Sequence, residues 1–168
     1  MNTLADRFRH WYEYERDCNA RSLAMLASVP AERRATPEFQ KAVDRMAHLL
    51  AARRWWLHHL GHGPEVPELF PQSSTLSDLP GLVAATEAGW VAYLRGLDES
   101  ELAREVEWQL ANGKRYRWNV EGLLTQLFGH AWYHRGQIAQ LVVAVGGQAV
   151  DTDYIFWSKP ARVGSPVS

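Results

Sequence analysis

Residues 119–147 read NVEGLLTQLFGHAWYHRGQIAQLVVAVGG, and this run decides the fold. Asn119 is a favoured N-cap, Gly146-Gly147 is a natural stop, and the apolar residues between them recur at helical spacing. The stretch predicts one long helix from Asn119 to Val145. Side chains turn by about 100° per residue along a helix, so with His130 at zero His134 lies at about 40°. Leu123, Leu124, Leu127, Ala131, Ile138, Leu141, Val142 and Val145 fall between about 20° and 120° on the same wheel. Gln126 and Gln137 fall at about −40° and −20°. A polar line of Gln126, His130, His134 and Gln137 therefore runs beside a buried stripe, with His134 inside it. Glu121, Trp132, Arg135 and Val143 point elsewhere.

Working outward, EVEWQLANGKRYRW changes period. Val106, Trp108 and Leu110 alternate with polar residues, Asn112-Gly113 is a hairpin turn signal, and Tyr116 and Trp118 alternate after it. A first helix is expected from about Thr3 to Ser28, with Phe8, Trp11, Tyr12, Leu23 and Leu26 inward and Pro30 just beyond its end. A second starts at Thr36 as N-cap with Pro37 in the first helical position, and runs to Leu60 with Gly61 as its stop. A third runs from near Ser77 or Asp78 to about Leu97. Between the second and third, GHGPEVPELFPQSST has no helical period and, counting through Pro80, four prolines. It is long enough for a crossover or a flap over a site. The expectation is an all-α four-helix bundle with a small β-hairpin before the last helix. Residues 1–168 are expected to form one domain, with the tail from about residue 158 loosely ordered.

At 168 residues the chain holds one sizeable core. A net charge of −1 offers no basic surface for nucleic acid or an anionic membrane. The single cysteine, Cys18, excludes an intrachain disulfide and a thiolate-built zinc site, and fits a reducing cytosol. MNTLADRFRHWYEYERD is charged throughout, with no secretory pattern, and no run approaches a membrane span, so a cytoplasmic protein is expected. Eight tryptophans favour a deep core, a pocket or a subunit interface. No glycine-rich phosphate loop, serine elbow or zinc-finger spacing is present.

Two histidines at i and i+4 project from one helix face and can bind one metal ion, and neutral imidazole suits zinc, nickel, iron or copper. Taken alone, buried histidines are more often hydrogen-bonded core residues than ligands. A site needs a third ligand from another element. His48 and His59 share one face of the second helix, and His10 lies on the first; the periodicity leaves them open. His48 sits away from the stripe of Phe39, Met46, Leu50 and Leu57, so it must face a second neighbour.

HAWYHRGQI, preceded by a hairpin and followed by GGQAVDTDYIFW, resembles the DinB/YfiT-like family of small four-helix-bundle metalloproteins, distinct from the DNA polymerase that shares the name. YEYERDCNARSL is similar to the family's first helix, with Asn19 in its usual place, and MAHLLAARRWWL to its second, with His48 at the histidine. The resemblance covers nearly the whole chain. It implies one divalent ion (zinc, nickel, iron or manganese) held by His48, His130 and His134 with one position open. It implies a metal-dependent enzyme acting with a small-molecule thiol or another small substrate, thiol transfer first and hydrolysis second, and a homodimer. The alternative is a non-catalytic, stress-linked metal-binding or interaction protein.

Gln137 is a candidate hydrogen-bond partner for a ligand ring, and equally a tie to a neighbouring backbone. Trp55 is the better pocket candidate and Trp56 the better core residue. Gly136 is expected to permit close helix approach, Arg135 to form a structural ion pair or an interface, and Cys18 to be an inert small hydrophobe. Asp151 and Asp153 cap or pin the tail. Arg33, Arg34, Arg53 and Arg54 read as a solvated basic face.

Overall fold

The computed structural model describes residues 3–63, 68–110 and 112–159. Four long helices make the bundle: α1 (Leu4–Ala27), α2 (Pro37–His59), α3 (Leu79–Arg95) and α5 (Val120–Ala144). A one-turn helix α4 (Glu99–Ala103) and an antiparallel hairpin, β1 (Glu105–Gln109) with β2 (Arg115–Asn119), connect α3 to α5, and a short α6 (Tyr154–Ser158) follows. The bundle and its hairpin are as expected, but the hairpin precedes the last long helix and not the last helix. Both short helices are set by one capping aspartate each. Asp98 accepts from the Glu101 amide at 2.7 Å and Asp153 from the Ile155 amide at 3.4 Å. Five residues are too few to show a period. No helix among the described residues is long and apolar enough to cross a membrane.

Local chemistry fixes the ends of the long helices. Thr3 and Asp6 form a reciprocal capping box on α1. Thr36 accepts from the Phe39 amide on α2, and Asn119 from the Gly122 amide at 2.9 Å on α5. Gly61 (φ +88°) ends α2 and Gly146 (φ +86°) ends α5. In both cases the next residue's amide returns to the helix, His62 to the Leu57 carbonyl and Gly147 to that of Val142.

The apolar core is in two parts. One end holds Phe8, Tyr12, Leu57, Trp90, Leu123 and Phe128; the other holds Leu26, Met46, Leu50, Leu79, Ile138 and Val142. Between these clusters α1 and α5 carry polar side chains inward, Glu15 and Asn19 on one and His130, His134 and Arg135 on the other, beside the small buried Cys18 and Ala131. A polar layer therefore crosses the middle of the bundle. At its heart the Glu15 carboxylate, with no exposure at all, lies 3.0 Å from Arg53 and 2.9 Å from Arg135. Arg53 is also ringed by Tyr12, Trp90 and Phe128, each centroid about 6 Å from its guanidinium.

Several expectations need correction. Arg53 is 2% exposed and belongs to this layer, not to a solvated face, because a buried carboxylate demands cations. Trp11 and Leu23 are only half-buried. In the hairpin Val106 is buried but Tyr116 and Trp118 stay largely exposed, although the Trp118 ring lies against Gly122 of α5. Trp108 and Tyr116 stack across the strands at 5.6 Å, and Gly113 makes the turn at φ +82°. Pro64 and Pro67, and the tail beyond residue 159, lie outside the described residues.

Candidate metal centre

His48 from α2 and His130 and His134 from α5 converge at the middle of the bundle. One ring nitrogen from each lies within 4.8 Å of the others. Ring centroids are 4.4 Å apart for His130 and His134, 4.9 Å for His48 and His134, and 5.3 Å for His48 and His130. The remaining histidines are elsewhere. His59 stacks on Trp55, His62 meets Tyr93, His58 bonds the Gly63 carbonyl, and His10 packs on Trp157. The two alternatives to His48 that periodicity left open are thus engaged outside the cluster.

Hydrogen bonds decide the tautomers. The Leu69 carbonyl can only accept, so His48 Nδ1 donates to it at 2.5 Å and Nε2 keeps its lone pair. His134 Nδ1 donates to Gln137 Oε1 at 2.8 Å, which likewise leaves Nε2 a lone pair. That nitrogen faces His130 Nε2 at 3.0 Å. Two imidazole nitrogens this close need a shared proton or a cation between them. Two imidazoles bound to one ion at 2.0–2.1 Å sit roughly 3.0–3.4 Å apart, so the pair fits a common ion.

For His130 and His134 the surroundings favour the neutral ring. Burial, then His134 and His48 nearby, push the His130 pKa from 6.5 down to about 4. Burial also lowers that of His134, against the raising effect of Gln137. The unfolded chain therefore takes up a proton near pH 6.5 that the folded chain refuses until about pH 4. This contribution to stability is complete above about pH 6.5 and lost as pH falls through 4. Thermal melts of the metal-free chain between pH 7 and 4 should show a falling midpoint, with a shallower fall in His130→Gln. Parallel pH profiles for the two would contradict the assignment.

The described part of the loop between α2 and α3 lies as a flap against His48, with the Leu69 carbonyl and the Phe70 ring in contact. Phe70 stacks on the imidazole at 4.6 Å and within 6° of parallel. Asp44 holds this loop down, accepting from the Ser74 amide at 3.2 Å, while Gln40 donates to the Ser74 carbonyl at 2.9 Å. Between Phe70 and Ser74 the chain passes through Ser73 at φ +61°, a region few residues other than glycine adopt. Tyr133, largely exposed, sets its ring 5.0 Å from His134. Leu69, Phe70 and Tyr133 went unseen in the sequence: the loop has no period and Tyr133 lies off the polar line.

The other expected residues are placed as follows. Gln137 touches His134. Trp55 stands two turns along α2 from His48, packed on Trp56 and His59 at 4.7 and 3.8 Å, and does not line the cavity beside His48. Trp56 meets Trp108 at 4.9 Å. Cys18 is fully buried. Arg135 makes the ion pair foreseen for it. Gly136 needs correction: a side chain there would meet open space, so no helix approaches it. The close approach on α3 is at Gly89, where a Cβ would press on Leu57 of α2.

The DinB family model matches residues 1–164 of the chain. No curated protein matches it.

Proposed function

We propose that this chain, which belongs to the DinB family, is a metal-dependent enzyme whose three imidazoles hold one divalent ion and leave a position for a small substrate. Thiol transfer is the first reading and hydrolysis the second. The observation that carries it is the convergence of His48, His130 and His134 with two tautomers fixed by outside partners. Three neutral ligands leave the charge of the ion intact. A bound ion of this kind supplies Lewis acidity that favours a thiolate or hydroxide near neutral pH.

The chain's own residues prepare the site. Leu69 and Gln137 orient two rings, Phe70 covers His48, and burial keeps His130 unprotonated at neutral pH. Among the described residues no carboxylate joins the three imidazoles, so the donor set is nitrogen only and suits zinc, nickel or iron better than magnesium or calcium. Manganese is the least favoured of the four expected ions. The exposed Trp132 and Tyr133 on α5 and Phe156 on α6 suit a homodimer. The place of action proposed is the cytoplasm.

Screening the metal-loaded chain against thiol acceptors and esters tests the reading. Turnover that disappears in His134→Ala supports it, and firm metal binding with no turnover of either class points to the non-catalytic alternative. Gln137→Leu should weaken metal binding by about 10–100-fold with the fold unchanged, the usual effect of losing a ligand's outer partner. Competition against a chromogenic chelator measures this, and unchanged affinity would make Gln137 a mere backbone tie.

A further inference from the structure

Beside His48 lies a cavity of about 250 Å³ lined by Lys41, Asp44, Arg45, His48, Phe70, Pro71 and Gln72. Lys41, Arg45 and His48 follow one another at i, i+4 and i+7 on α2, so the two cations share the histidine's face. Among the described residues Asp44 is the one acid on this wall, and its Oδ1 is engaged by Gln40 and Ser74. Among the described residues no carboxylate comes within 4 Å of a nitrogen of Lys41 or Arg45. The Arg45 Nε is buried with no hydrogen-bond partner. A guanidinium N–H withdrawn from water and left unmatched is costly, and its natural complement is an anion.

We propose that Arg45, assisted by Lys41, binds a carboxylate group of the substrate at the mouth of the histidine centre. This rests on the metal-enzyme reading and narrows it to small molecules that carry a carboxylate in addition to the reacting group. The charge count favours a carboxylate over a phosphate. Among the described residues, Lys41 and Arg45 against Asp44 leave one positive charge on the protein wall, which matches the single charge of one carboxylate group and not a doubly charged phosphate group. Gln72 stands on the same wall, its side-chain N–H already given to the Phe70 carbonyl at 3.0 Å. Arg45 is a substrate-positioning residue in this scheme and takes no part in bond making.

Cobalt loading and two probes of similar length test the proposal. Succinate and succinamate differ in having a carboxylate or a neutral amide at one end. Each is titrated into the cobalt-loaded chain at neutral pH, with the visible cobalt bands as readout. Succinate should bind about tenfold or more tightly than succinamate, as expected for one charge-assisted pair. The preference should collapse towards one in Arg45→Met, shrink in Lys41→Met and partly survive in Arg45→Lys, with the starting cobalt spectrum unchanged. A wild-type chain that takes up cobalt normally but does not prefer succinate overturns this inference alone. So does a preference that survives both Arg45→Met and Lys41→Met. Failure to take up cobalt removes the metal reading and this one with it, and is visible before any probe is added.

Discussion

Glu15→Ala is expected to destabilise the protein by about 3–5 kcal/mol, the loss typical when one member of a buried ion cluster is removed. For a chain of this size that lowers the melting temperature by roughly 6–20 °C. The carboxylate is wholly buried between two arginines that are themselves only 2% exposed. Without it two guanidinium groups face each other in the core, where burying an uncompensated charge is severely unfavourable. The aromatic faces around Arg53 and the Tyr14 ring near Arg135 soften this only in part. Chemical denaturation followed by circular dichroism measures the loss. The control is Glu13→Ala, whose pair with Arg16 is exposed and should matter by well under about 1 kcal/mol. Replacing all three members by apolar residues, Glu15→Leu with Arg53→Met and Arg135→Met, should recover most of the loss. If Glu15→Ala behaves like Glu13→Ala, the carboxylate is not holding the layer together.

The second large effect concerns His134. It is the central ring of the cluster, with His48 and His130 both within 5 Å of its centroid and Gln137 fixing its tautomer. His134→Ala leaves two ligands on different helices and frees Gln137 from its role. Metal affinity should fall well beyond the about 10–100-fold expected for Gln137→Leu. Stability of the metal-free chain should change much less, since the loss of one buried polar ring is partly offset by the gain of a good helix former. Isothermal titration with zinc or cobalt separates the two quantities. A variant that unfolds, or one that binds metal like the parent, would each contradict this division of labour.

Much of this fold is legible in the sequence because its boundaries are local. Thr36-Pro37, Asn119, Gly61 and Gly146-Gly147 act within a turn of where they stand, so α2 and α5 can be read to within a residue or two. The pair on α5 is legible for the same reason. His48 is not, and the resemblance was needed to select it. From Ala47 to Ala52 every side chain of α2 is buried, so the helix has no single inner face to read. The flap that covers His48 depends on contacts between residues far apart in sequence. Arg53 departs from its expected place because a pair of arginines in sequence is usually solvated, whereas this one faces a buried carboxylate. The signal that corrects it was present. Glu15 lies three residues after Tyr12 and seven after Phe8, on the inner face of α1, and a carboxylate in that line calls for buried cations.

Whether three imidazoles hold an ion is tested most directly by the metal content of tag-free purified protein, measured by mass spectrometry. About one divalent ion per chain, either as isolated or after offering zinc, nickel, iron or manganese, is the expected result. No metal under any of these conditions would contradict it, and would leave His48, His130 and His134 as a hydrogen-bonded cluster in the core.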